Sequence, residues 1–144
     1  MNKQTLILIR GVPGSGKSTL AKQIVSASND AALHLEADMF FVDPLTGVYK
    51  FDPLKLKQAH QWCQERTLNR LSIGAPVVVS NTFTKLWEMD AYFQMAKEYG
   101  FDVQVILAQG RFQNLHGVPE DKVQQMRDRF EYDVSPLYQK YFGD

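Results

Sequence analysis

A single cysteine, Cys63, stands among 144 residues. One thiol makes neither an internal disulfide nor a cysteine-rich zinc site. Charge of one sign is missing too: 16 basic and 16 acidic side chains cancel. Proteins that coat nucleic acid through its phosphates carry Lys and Arg in clear excess, so that class is excluded, although a local basic patch is not. No apolar run approaches the roughly 20 residues that span a bilayer. The first apolar stretch, residues 6–9, is too short and too soon interrupted by Arg10 for a secretory signal. Linkers, low-complexity segments and internal repeats are absent. At roughly 100–200 residues per domain, the length allows one domain, residues 1–144. A chain this long buries about 70% of its unfolded surface and needs no covalent or metal staple. The expectation is a soluble cytoplasmic protein with no membrane segment.

What the sequence does have is alternation. A continuous apolar run at 6–9, a short segment at 33–36, and 76–80 and 103–107 read as strands, 6–9 and 76–80 buried on both faces. Between and after them, 18–28, 53–73, 86–99 and a segment opened by Pro119 read as helices, the last with Val123, Met126 and Phe130 as its apolar face. Residues 43–53 are rich in turn formers and read as a loop or small hairpin. The aromatic tail, 134–144, is expected to pack down, and Trp87 to join the core. This order predicts an α/β fold of three layers around a mainly parallel sheet of four to five strands. Ligands then bind beyond the carboxyl ends of the strands. That places the chemistry at residues 11–18, Asp38, Asn81 and the loop after Leu107.

The first of these segments fits G-x-x-x-x-G-K-[ST], the P-loop. Gly11, Pro13, Gly14, Ser15 and Gly16 let the backbone curl around an anion, so that successive N–H groups point inward. The following helix adds its positive end. Lys17 reaches the outer phosphates, the Ser18 hydroxyl can ligate magnesium, and Thr19 completes the binding segment. The motif implies a nucleoside triphosphate. The chain has no Asn-Lys-x-Asp segment of the kind GTPases use to read guanine. A compact domain of this length suits a kinase of small reach better than a motor ATPase. A kinase needs an acid beside the γ-phosphate to accept the acceptor's proton. Asp38, just past the second strand, is the candidate base or metal ligand. Glu36 competes, but its alternation within the strand can turn it elsewhere, and Asp38 can also serve as a helix cap.

The blocks GVPGSGKST, the Asp after the second strand, NTF–KLWEMDAYFQMAKEYGF and HGVPEDKVQQMRDRFE together resemble the P-loop kinase group around phage polynucleotide kinase. The resemblance implies a four- or five-stranded parallel P-loop sheet with a short lid. It also implies transfer of the ATP γ-phosphate to a 5′-hydroxyl of nucleic acid, with ATP and magnesium as cofactors. By position, Lys17 and Ser18 match the group's phosphate and metal residues, and Asp38 its catalytic aspartate. Arg111 is the nearest match to the lid arginines that embrace the phosphates.

Three departures qualify that match. The position after VVV that carries a magnesium-holding acid in P-loop proteins is Ser80, followed by Asn81. Either Asp38 takes over the metal or turnover is slow. The arginine three residues after the base is Phe41, an aromatic that can stack on a base or belong to the core. The lid carries one arginine, Arg111. The helix after it offers Lys122, Arg127 and Arg129 interleaved with acids, the pattern of a solvated face; of these, Arg127 is the candidate acceptor or phosphate contact, with Asn81, Thr82 and Phe41. The acceptor is then a 5′-hydroxyl nucleic acid end or a small nucleoside, nucleotide or sugar. Rival readings are an ATP-binding protein or weak ATPase without transfer, and a docking protein using its aromatic tail. His60 reads as structural, and His116 as a residue shaping the turn before the last helices.

Overall fold

The computed structural model describes residues 4–112 and 117–143; His116 lies outside them. Its centre is a four-stranded sheet of β1 (Thr5–Arg10), β2 (Leu33–Leu35), β3 (Val77–Ser80) and β4 (Asp102–Leu107), in the order β2–β3–β1–β4. Every pairing is parallel, with Leu8 opposite both Val79 and Val105, and Leu35 opposite Val79.

The central strands read as unbroken apolar runs because both their faces are covered. Leu6, Leu8, Val77 and Val79 enter the larger core. Ile9 and Val78 enter a smaller one with Ala21 of α1 (Lys17–Ala27). The larger core is closed by α2 (Leu56–Ser72), which buries Ala59, Cys63, Thr67 and Leu71 at helical spacing, and by α3 (Trp87–Glu98). A third cluster forms where α4 (Glu120–Arg129) lays Val123 over Val12 and Phe130. The three layers and the parallel sheet are those expected from the alternation.

The tail folds as α5 (Ser135–Phe142) and packs on α3, with the Phe93 and Tyr138 rings 5.0 Å apart. Tyr138 Oη also donates to Val103 O at 2.7 Å. The 53–73 helix starts with a 3-10 turn, Pro53–Lys55, where Asp52 Oδ1 accepts from Leu54 N at 3.0 Å. Trp87 departs from expectation and is 75% exposed. It precedes Met89 by two positions, a rotation of roughly 200° at 3.6 residues per turn, and so faces away from the core. Among the described residues no helix is long and apolar enough to cross a membrane.

One buried cation fixes the edge where the strands end. Arg10, at the end of β1, is 1% exposed. Its Nε and Nη2 donate to Phe83 O at 3.0 and 2.6 Å, and its guanidinium lies 4.3 Å from the Phe130 ring centre. Burial lowers its pKa, against the opposing charges of Glu88 and Glu131. Phe83 is held in the left-handed region, φ 47°, and its carbonyl ends on Arg10. Arg10 thereby ties β1, the loop after β3 and the end of α4 to one point.

Candidate active site

The P-loop leaves β1 at Gly11, whose N–H donates to Thr82 O at 3.1 Å. A side chain there would meet Ser15 Oγ at 2.5 Å and Ala108 O at 2.7 Å, so only glycine lets the loop close on the sheet. Gly14 and Gly16 take φ of 81° and 93°, the region that favours glycine, and curl the loop ahead of α1. The helix starts at Lys17 with no acidic residue of its own in its first turn, and its N-terminus faces the loop with its positive end. Lys17 Nζ donates to Val12 O at 3.1 Å. Burial lowers its pKa to about 8, against the pull of Glu36 and Asp38.

Pro13, Gly14, Gly16, Lys17, Ser18 and Thr19 line a cleft of about 830 Å³. Gly11 and Ser15 instead back onto a cavity of about 150 Å³ on the other side of the loop. Glu36 and Asp38 both open into the cleft. Glu36 follows β2 directly, and its Oε2 accepts from Ser18 Oγ at 2.8 Å and Ser80 Oγ at 3.0 Å. His34 Nε2 lies 2.7 Å from Ser80 Oγ and 3.6 Å from Glu36 Oε2. Since Ser80 gives its proton to Glu36, its oxygen receives the imidazole N–H. Burial works to raise the Glu36 pKa, but the hydrogen bonds and charge around it prevail and hold it at about 2.

At the end of β3, the position that lacks an acid, Ser80 instead hydrogen-bonds the Glu36 carboxylate, which comes from the end of the neighbouring strand. The partner of Ser18 is Glu36, the lesser candidate by sequence. His34 carries no sequence signal of its own, because its partners become visible only when β2 and β3 lie side by side.

Asp38 sits in the 3-10 turn Ala37–Phe41, inside its first turn rather than at its cap. Tyr49 Oη donates to Asp38 Oδ1 at 3.3 Å. Burial, then the charge of Asp38 and this hydrogen bond, push the Tyr49 phenol up to about 12. Asn81 Oδ1 accepts from Ala37 N at 2.8 Å, and its Nδ2 points at Cys63 Sγ, 3.9 Å away. Asn81 borders the cleft with Thr82, but its amide is spent on holding the Asp38 turn.

Phe41 does not line the cleft. It is 7% exposed and belongs to the main core, its ring covered by Tyr49 and Phe51. The aromatic rings on the cleft are Tyr49, Phe51 and Phe112, with His60 beside them. Arg111, the match to the lid arginines, and Arg127, the candidate acceptor contact, both line the smaller cavity rather than the cleft. Arg127 Nη1 donates to Glu120 Oε1 at 3.1 Å and Gln124 Oε1 at 3.0 Å. The cleft receives Lys122, Met126 and Arg129 from α4 instead, residues four and three apart and hence on one helix face. The interleaved charges of α4 are two faces with two destinations.

Among the described residues no group of three or more His, Cys, Asp or Glu stands together for a metal. The donors that are present, a hydroxyl and an ionised carboxylate at the P-loop, fit magnesium. That ion keeps several waters and takes one or two protein groups alongside substrate phosphates.

A family model described as "AAA domain" matches residues 6–111. The human protein "NEDD4-binding protein 2" is 30% identical over 90% of this chain and 8% of its own length. The "2′,3′-cyclic-nucleotide 3′-phosphodiesterase" of Pongo abelii is 27% identical over 96% of this chain and 34% of its own. The chain therefore spans about a third or less of these two relatives. Among solved structures, "Structure of Pnkp1/Rnl/Hen1 complex" superimposes with a TM-score of 0.61, at 18% identity, over 87% of this chain and 39% of that one.

Proposed function

The chain belongs to the P-loop family described as an AAA domain, and from that premise we propose that it is an ATP- and magnesium-dependent phosphotransferase acting on a hydroxyl acceptor. One observation carries the proposal: Lys17, Ser18, Glu36 and Asp38 share a single cleft that runs on past the P-loop to Tyr49, Phe51, Lys122 and Arg129. A pocket for the nucleotide alone would not need that extension.

In this reading the P-loop amides and Lys17 bind the β- and γ-phosphates. Ser18 and Glu36 would hold magnesium, which would supply neutralisation of the phosphate charge. Asp38 accepts the proton of the acceptor hydroxyl as its oxygen bonds to the γ-phosphorus and the bond to ADP breaks. Lys122 and Arg129 sit across the cleft, where cations stabilise the charge spread over the transferring group. The exposed rings of Tyr49 and Phe51 suit a planar group, and the two cations a phosphate. This combination favours a 5′-hydroxyl nucleic acid end or nucleotide over a sugar.

The test is labelled γ-phosphate ATP incubated with 5′-hydroxyl DNA, 5′-hydroxyl RNA, nucleosides and sugars. We expect label on a 5′-hydroxyl acceptor, and Asp38→Asn to cut transfer by at least about 100-fold with ATP affinity retained. No labelled product from any acceptor, with ATP still bound, overturns the proposal in favour of nucleotide binding without transfer.

A further inference from the structure

The Tyr49 hydroxyl does to Asp38 what an acceptor hydroxyl has to do: it donates a hydrogen bond to the carboxylate of the proposed base. Its ring is 40% exposed and borders the cleft, and with the phenol pushed up to about 12 it remains a donor across the neutral range.

The mounting of Tyr49 fixes its backbone and leaves its half-exposed side chain at the cleft to yield. It lies on a short hairpin, residues 42–50, where Val42 and Tyr49 form one antiparallel bridge. Lys50 N donates to Phe41 O and Asp43 N to Val48 O, both at 2.9 Å. The tip is a self-contained turn: Asp43 Oδ1 accepts from Leu45 N at 2.8 Å, Gly47 takes a φ of 72°, and Leu45 is 94% exposed. The base of the hairpin rests on Phe41, whose ring meets Tyr49 edge-on at 6.3 Å and Phe51 at 5.1 Å. The hairpin is thus fixed at its root and solvated at its end.

We propose that Tyr49 is a gate on the acceptor side: its hydroxyl holds Asp38 in the acceptor's place, keeps water from that position, and yields to an entering acceptor hydroxyl. The inference rests on the phosphotransferase reading. Without the gate, a water hydrogen-bonds to Asp38, its oxygen attacks the γ-phosphorus of ATP, the bond to ADP breaks and the proton passes to Asp38. Closing an active site against water in this way prevents hydrolysis of the donor.

The test is Tyr49→Phe, which keeps the ring and removes one exposed hydroxyl, with a thermal melt to verify folding. ATP hydrolysis without acceptor is expected to rise about three- to tenfold, the range of one net hydrogen bond. The KM of a 5′-hydroxyl oligonucleotide is expected to fall by a similar factor. Tyr49→Ala, which also removes the ring, should raise hydrolysis further. Hydrolysis in Tyr49→Phe at or below the wild-type rate overturns the gate. A raised hydrolysis rate with no labelled product from any acceptor keeps the gate against water and overturns the phosphotransferase reading alone.

Discussion

Glu36 is where single side chains decide most. Its pKa of about 2, against an ordinary 4.5, means that the folded protein binds its proton less readily than the unfolded chain. Stability from this group is fully present above about pH 4.5 and is lost as pH falls toward 2. At about 1.4 kcal/mol per unit this is on the order of 3 kcal/mol. Glu36→Gln should flatten the acid limb of a urea-denaturation series between pH 5 and 2, and should weaken magnesium-dependent nucleotide binding about 10- to 100-fold at neutral pH. An unchanged magnesium dependence would remove Glu36 from the metal's surroundings. Glu36 keeps extended backbone, φ −148° and ψ 151°, so it shares a face with His34 as alternation predicts; that this face meets Ser18 and Ser80 depends on β2 lying beside β3, which no local pattern encodes. Arg10 carries the other residue-scale prediction. Arg10→Met leaves the Phe83 carbonyl buried without its donor, and should cost about 2–4 kcal/mol in urea denaturation.

At the scale of elements, the strands and most helices could be read from apolar runs and periodicity, and the P-loop from its glycines. The phase of α4 could not. Arg127 and Arg129 are two residues apart, and only the docking of Val123 against Val12 and Phe130 decides which of them meets the cleft. A helix with charges on most of its surface has no sequence signal for that choice. The expected consequence is a separation of effects. Arg129→Ala should lower the transfer rate on the order of 100-fold, the scale of removing one donor to developing charge. Arg127→Ala, whose partners are Glu120 and Gln124, should leave the rate at saturating ATP within about threefold. Equal losses in both variants would mean that α4 sits differently during turnover. Asn81 makes a similar point: it borders the cleft, as a ligand contact would, and its amide oxygen also fastens the Asp38 turn to the end of β3, a task its place in the sequence does not announce.

Over the whole molecule, neutrality of charge coexists with a concentrated local field. The P-loop amides, the end of α1 and Lys17 converge on one place, so phosphate binding needs no excess of basic residues. Lys17 makes this field dependent on pH. Its pKa of about 8 lies below its ordinary 10.5 because of burial, so the ammonium is lost as pH rises through 8, whereas bound phosphate favours the charged form. ATP affinity should therefore weaken about tenfold or more between pH 7 and 9.5 in calorimetric titration, and Lys17→Met should give a weaker but flatter profile. A flat wild-type profile would mean that Lys17 stays charged throughout.

The convergence on Arg10 also has a temporal side. The guanidinium precedes its carbonyl partners Phe83 and Thr84 by 73 and 74 residues, and the Phe130 ring follows later still. During synthesis its full set of partners exists only once Phe130 has been made. Ordering of the P-loop edge is then a late event, and a nascent chain arrested before Phe130 should bind nucleotide far more weakly than one carried past it.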